Sequence, residues 1–253
     1  MHKDIYAGRY DAYGAALYDY YKYKNGFVII ERSDGFMDHD RASHYFDEFK
    51  KWPDIERKAV KHAKGVVLDV GAGAGRVSLY LQNTRKLKAY ALDNSPLALK
   101  VCKQRGIKKA IQSPIRSYRP PFKYDTIIMY GNNFGLMQNG KTAVEILNNM
   151  YAYTSADAKI ILETTDVYDT KAKEHLDYQR QNRRANRMSG QIRFRIRYKI
   201  YSSPWYDYLM VSKNELQNIV NKTDWYIEIF YMSKGPVYIA VLSKAKRTLL
   251  PVK

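Results

Sequence analysis

From residue 66 onward, short apolar runs alternate with amphipathic stretches of helical spacing, the alternation that a parallel sheet covered by helices on both faces requires. Val66 to Val70 reads as a strand, and Arg76 to Gln82 begins the first crossover helix. Lys88 to Leu92 is a second strand. Ser95 can cap the helix after it, with Pro96 at its first position, where a missing amide proton costs nothing. Ala110-Ile111-Gln112 is a short third strand, Tyr124 to Tyr130 a fourth and Lys159 to Glu163 a fifth, with the helix Lys141 to Tyr153 between the last two. About fifty residues then pass before the next clear helix, too many for a connecting loop, so the pattern predicts an inserted element. Ser212-Lys213-Asn214-Glu215 is a capping box that opens a helix running to about Lys222, and two closing strands fit Trp225 to Met232 and Val237 to Leu242.

Ahead of this alternation, residues 1 to 25 are crowded with tyrosine and read as helix or a folded-over cap. Gly26 to Arg32 is β-branched and runs into the turn signal Ser33-Asp34-Gly35, which predicts a hairpin-like excursion. Asp54 to His62 follows as a helix, with Pro53 ahead of it and Asp54 and Glu56 at the positive end of its dipole. Inside the insertion, Gln191 to Tyr201 alternates: Ile192, Phe194, Ile196, Tyr198 and Ile200 share one face, and Arg193, Arg195, Arg197 and Lys199 the other. Ser202-Ser203-Pro204 turns the chain into Trp205 to Val211, giving an antiparallel hairpin placed to roof a site. The organisation expected is a cap over residues 1–64, a main domain over 65–243 with a lid at about 165–211, and a loose tail over 244–253.

Composition narrows the class. With 45% hydrophobic and 27% charged residues the chain has the make-up of a folded globular protein. No run approaches the roughly 18 apolar residues that cross a bilayer, and Met1-His2-Lys3-Asp4 opens no signal-peptide core, so the expectation is a cytoplasmic protein without a membrane partner. Cys102 is the single cysteine, which excludes an internal disulfide, and His2, His39, His44, His62 and His175 show no ligand spacing, so no metal is expected. The net charge of +18 attracts phosphates and other anions, or serves solubility alone; it names no substrate.

Chemistry concentrates at Gly71-x-Gly73-x-Gly75, where an apolar strand runs directly into a helix and glycines leave room for a ligand at its N-terminus. A nicotinamide or flavin site would call for glycine or alanine at position 76, where Arg76 stands, and does not require Asp69. Asp93, ending the second strand, suits a pair of ribose hydroxyls in either class. Together, Leu68-Asp69-Val70-Gly71-Ala72-Gly73-Ala74-Gly75-Arg76 and Leu92-Asp93-Asn94-Ser95-Pro96 resemble the first two motifs of class I S-adenosylmethionine (SAM)-dependent methyltransferases, and the resemblance runs on through Tyr124 to Met129 to the closing strands. It implies a Rossmann-like α/β fold with a seven-stranded, mostly parallel sheet whose last strand is antiparallel. It also implies that Asp69, Gly71, Gly73 and Gly75 border the methionine part of SAM, that Ala72, Arg76 and Tyr130 are further cofactor contacts, that Asp93 takes the ribose, and that Asn94 and Ser95 lie at the adenine edge, with Gln112 and Ser113 nearby. For Asp69 the alternative is that it pins the turn.

A methyltransferase has to align a nucleophile with the methyl group and exclude water, so the end of the fourth strand matters most. There, Gly131-Asn132-Asn133-Phe134 is similar to the Gly-Asn-Ser-Phe segment of glycine and sarcosine N-methyltransferases, with Asn133 in place of serine. By that likeness Asn132 orients the amine or the methyl through its amide oxygen and Tyr130 bounds the site; the alternative is that Asn132 and Asn133 simply make a turn. Arg193, Arg195, Arg197 and Trp205 are the candidates for substrate contact, since a guanidinium grips a carboxylate or phosphate with two N–H groups. The same face suits an RNA backbone, or ion pairs with the body of the protein. The leading expectation is methyl transfer to an amine- or oxygen-bearing, anionic small molecule; RNA methylation and SAM binding without catalysis are the alternatives.

Overall fold

The computed structural model describes residues 8–244, so the expected loose tail falls outside it apart from Lys244. In chain order the elements are α1 (Ala12–Tyr23), β1 (Phe27–Arg32), β2 (Met37–Arg41), α2 (Asp54–Ala59), β3 (Val66–Val70), α3 (Arg76–Asn83), β4 (Lys88–Asp93), α4 (Pro96–Gln104), β5 (Ala110–Gln112), β6 (Tyr124–Met129) and α5 (Gly140–Ala152). They continue with β7 (Thr154–Thr165), α6 (Lys173–Arg184), β8 (Gln191–Tyr198), β9 (Tyr201–Ser202), β10 (Tyr206–Leu209), α7 (Lys213–Val220), β11 (Trp225–Met232) and β12 (Val237–Lys244). Among the described residues no helix is long and apolar enough to cross a membrane.

Seven strands make the main sheet in the order β11-β12-β7-β6-β3-β4-β5. The five central and right-hand strands pair in parallel, while β12 pairs antiparallel with both β7 and β11, so the last strand runs against the rest. Both faces are covered. Leu68, Val70, Leu92 and Ile127 pack with Ile146 and Leu147 of α5 and Leu216 of α7. On the other face Val67, Ala89, Ile128 and Ile161 meet Ile55 of α2 and Val77 and Leu81 of α3. Each such fully buried aliphatic side chain stabilises the fold by about 1.5–3 kcal/mol, and truncating Leu68 to alanine would cost about 2–5 kcal/mol. Local signals set the helix starts: Ser95 accepts the Ala98 amide at 2.9 Å ahead of α4, and Ser212 and Glu215 form the complete capping box of α7.

The cap differs from its expected form. Residues 191–209 do make the antiparallel pair β8 and β10, but the other edge of β8 pairs with β1 of the N-terminal hairpin, Ile30 opposite Ile196 and Glu31 opposite Arg195. The N-terminal excursion and the insertion are therefore one sheet, β10-β8-β1-β2, with the two-residue β9 folded back on β8. Its inner face, with Val28, Phe194, Ile196 and Tyr208, packs on Ala12, Ala15 and Ala16 of α1. The amphipathic strand ends sooner than expected: Lys199 takes a left-handed φ of 50° and Ile200 is 70% exposed, because β8 stops at Tyr198 and turns straight into β9. Helix α6, unforeseen in so basic a stretch, is held by Tyr178, whose hydroxyl meets the Arg193 amide at 3.0 Å and Ser33 Oγ at 3.1 Å.

Candidate active site

The glycine turn lies where β3 passes into α3. Gly71, Gly73 and Gly75 all have left-handed φ, of 69°, 55° and 78°, which a side chain would strain. Space forbids one too: a Cβ at Gly71 would run into the Asn133 amide and one at Gly75 into Ile107. The Gly71 and Ala72 amides donate to Leu92 O, tying the turn to the end of β4. Asp93 stands at that end, with Oδ2 accepting the Gly73 amide at 2.8 Å and Oδ1 the Ser95 amide at 2.9 Å; burial pushes its pKa up against these bonds. A carboxylate acceptor beside a side-chain-free backbone cradle fits the donor hydroxyls of a ribose, so the residues present fit SAM.

Asp69 is buried, and its Oδ2 accepts both the Ser78 amide, at 3.0 Å, and the Ser78 hydroxyl, at 2.7 Å. It thus pins the turn to the first turns of α3, the alternative reading, and burial raises it to about 6. Ser95 has its hydroxyl committed to capping α4 and to Asp11 Oδ2 at 2.8 Å. Asp11 caps α1 through the Gly14 amide and also accepts the Leu97 amide, so one carboxylate anchors the cap helix to the β4–α4 connection. Asn94 is half-buried, Gln112 is exposed on the short β5, and the Ser113 amide donates to Asp93 O at 3.2 Å.

The turn after β6 is held from three sides. Gly131 and Asn132 are both left-handed, with φ of 69° and 60°. The Asn132 amide donates to Glu163 Oε1 at 3.0 Å, its Oδ1 accepts Thr165 Oγ1 at 2.7 Å, and its carbonyl accepts the Tyr208 hydroxyl at 2.5 Å. The amide oxygen expected to orient an acceptor is therefore itself oriented by Thr165. Asn133 donates through Nδ2 to Val70 O at 2.9 Å and Gly71 O at 3.0 Å, locking the turn to the glycine loop. Tyr208 reaches in from the cap, its ring seated on Gly135 where any Cβ would collide with it. Tyr130 points the other way: it is buried among Val67, Ile128 and Ile161, and its hydroxyl donates to Glu56 O at 2.9 Å. That corrects the reading of Tyr130 as a wall of the site. Strand alternation carries it to the α2 and α3 face.

Beneath this turn lies a cluster that sequence reasoning missed. Arg76 donates both terminal nitrogens to Glu56, at 2.6 Å each, with its guanidinium 4.8 Å from the Trp52 ring. Arg76 thus belongs to Glu56. Glu163, on β7, adjoins the pair; burial, and next the Glu56 carboxylate, push its pKa up to about 8. The one local signal was an acid closing the apolar run Ile160 to Leu162 of a strand covered on both faces. Tyr45 was also missed: it lies 3.2 Å from where a Gly73 Cβ would be, donates to Asp40 Oδ2 at 2.6 Å and meets the Tyr13 ring edge to face at 5.1 Å.

The four substrate candidates lie elsewhere. The register places Arg195 opposite Glu31 and Arg193 opposite Asp207, on the face of the cap sheet turned away from α1. Arg195 grips Glu31 at 2.8 and 3.0 Å, Arg197 reaches the same carboxylate at 2.7 Å, Arg193 lies 3.8 Å from Asp207, and the Trp205 ring stacks under Arg195 at 4.7 Å. Arg193, Arg195, Arg197 and Trp205 form a cross-strand ion-pair face on the side of the cap sheet away from α1, because side chains alternate across a strand and Phe194 and Ile196 take the inner side.

Against known proteins, residues 67–157 match the family model described as a methyltransferase domain. No curated protein matches the sequence. A SAM-dependent methyltransferase from Bacteroides fragilis, solved in complex with S-adenosyl-L-homocysteine, is 27% identical, with a TM-score of 0.82 over 94% of this chain and 96% of its own. The CcbJ methyltransferase of Streptomyces caelestis is 10% identical, with a TM-score of 0.62 over 93% and 98%. The 1,6-didemethyltoxoflavin-N1-methyltransferase of Burkholderia thailandensis is 14% identical, with a TM-score of 0.53 over 81% and 85%. The last two share the fold.

Proposed function

We propose that this chain, a SAM-dependent methyltransferase of the class I fold with SAM as its cofactor, methylates an amine- or oxygen-bearing small molecule held between the inner face of the cap and the Gly131-Asn132 turn. The observation that carries this reading is Tyr208: an inserted strand brings a buried side chain down onto Gly135 and hydrogen-bonds the carbonyl of Asn132, so the C-terminal end of the sheet is roofed.

When bound, SAM supplies a methyl group on a sulfonium, which an unprotonated nucleophile displaces in line. The chain's part is to bind, align and keep water out. Asp93 would take the ribose, and the backbone of Gly71 to Gly75 would pass along the rest of the cofactor. Asn132, fixed through its amide, its side chain and its carbonyl, offers an acceptor a rigid edge that does not reorganise during transfer.

An anionic acceptor loses its main support, since Glu31 and Asp207 hold the arginines on the outer face. The titratable groups that hydrogen-bond the turn are instead a phenol and an acid, Tyr208 and Glu163, which favour a neutral or cationic acceptor such as an amine. An RNA acceptor keeps the support of the +18 charge and of Arg193 and Arg197, whose side chains are 52% and 46% exposed. Incubation with SAM and separate pools of amines, alcohols, carboxylates and RNA, with S-adenosylhomocysteine followed by mass spectrometry, tests the choice. Product with the amine or alcohol pool is expected; product with RNA alone would overturn the small-molecule reading.

A further inference from the structure

The cluster beneath the Gly131-Asn132 turn is unbalanced in charge. Arg76 and Glu56 match completely, two nitrogens on two oxygens, and form a neutral buried pair. Glu163 is 6% exposed and adjoins that pair as a second carboxyl without a cation of its own. The groups that face it are Glu56 from α2, Arg76 from α3, Tyr130 at the end of β6 and Tyr208 from β10, with Asp69 of β3 on the far side of Arg76. Arg76 is the one cation among them. A carboxylate at Glu163 would be an extra buried negative charge, which is costly in a poorly solvated site; a carboxyl that keeps its proton is not.

Glu163 is also wired to the cofactor end of the molecule. It holds the amide of Asn132, and the next residue, Asn133, holds the carbonyls of Val70 and Gly71, so Glu163 and the glycine turn grip opposite ends of one short segment. SAM carries a sulfonium, an ammonium and a carboxylate, for a net charge of about +1, whereas the demethylated thioether product is neutral overall.

We propose that Glu163 is a specificity-determining residue that carries a proton in the cofactor-free protein and releases it to solvent as the sulfonium cofactor binds, so that the charge of the site follows the presence of the transferable methyl group. The inference rests on the reading that SAM binds at the glycine turn. In the step itself the O–H bond of the Glu163 carboxyl breaks, the electron pair stays on the carboxylate and the proton goes to buffer. When the thioether replaces the sulfonium, the reverse occurs. The site thereby favours the methyl donor over its spent product without a direct contact to the methyl group.

Calorimetric titration of the whole chain with SAM and with S-adenosylhomocysteine, at pH 7 in two buffers of different ionisation enthalpy, tests it. SAM should release about one proton and S-adenosylhomocysteine none, and SAM affinity should rise about tenfold per pH unit between pH 6 and 7. Glu163→Gln mimics the protonated form and should fold; it should lose the proton release and at least about tenfold of the preference for SAM at pH 7. SAM binding to the wild type without proton release, or the same release from the Gln variant, would overturn the proposal. Failure of the wild type to bind either ligand would instead overturn the cofactor reading, and this inference with it.

Discussion

Two arginine–carboxylate sets in this molecule use the same chemistry in opposite settings. On the outer face of the cap sheet, Arg195 and Arg197 share Glu31 in reach of water. Under the Gly131-Asn132 turn, Arg76 holds Glu56 with side-chain exposures of 14% and 3%, beside a second carboxyl, Glu163. Solvent screens the first set and its members exchange partners cheaply. The second has no water to fall back on, so its charge count governs stability, titration and, by our inference, ligand preference. Arginine in a basic stretch drew attention to the wrong face; a lone acid in an apolar strand marks the consequential one.

The largest effect that separates the two sets is expected from Glu56→Ala, which strips Arg76 of its two-pronged partner, leaves only the neighbouring Glu163 to offset its charge, and should cost up to about 3–5 kcal/mol in urea unfolding. A loss no greater than that of Glu31→Ala would erase the distinction. Glu163 should make the cofactor-free protein less stable as pH rises. Its carboxyl keeps the proton in the folded chain while the unfolded chain releases it near 4.5, so stability drains between there and about pH 8, and Asp69 adds a smaller loss up to about pH 6. Glu163→Gln should flatten that slope, with a melting temperature above wild type at pH 8, by about 2–4 °C per kcal/mol regained, and close to it at pH 4.5. An unchanged slope would mean that Glu163 does not hold the proton.

Tyr208→Phe keeps the ring on Gly135 and removes one hydrogen bond, so stability should fall by about 0.5–1.5 kcal/mol and turnover should drop while SAM affinity stays. Arg195→Ala should change neither SAM affinity nor turnover measurably. Loss of turnover with SAM affinity kept would return Arg195 to the substrate.

What was legible in the sequence was local. The glycines of residues 71–75, Ser95 with Pro96, and the Ser212 capping box act within a few residues of themselves, and the strands and helices of the main sheet, outside the insertion between β7 and α7, lie where the alternation puts them. The pairing of β1 with β8 was not legible, because register between segments some 160 residues apart is set by packing on α1 and not by any local signal. That pairing decided the fate of the arginines, since it put Glu31 opposite Arg195. Tyr130 was misjudged for a related reason. Its neighbour Gly131 starts a left-handed turn, so the side chain still obeys the strand alternation and enters the core, while Asn132 and Asn133 do not.

Calorimetric titration of Asp93→Ala with SAM tests most directly whether Asp93 holds SAM at the glycine turn. The variant should remain folded and lose about ten- to a hundredfold in affinity, the worth of charge-assisted hydrogen bonds to a ribose. Affinity equal to wild type would contradict the assignment of this turn as the cofactor site.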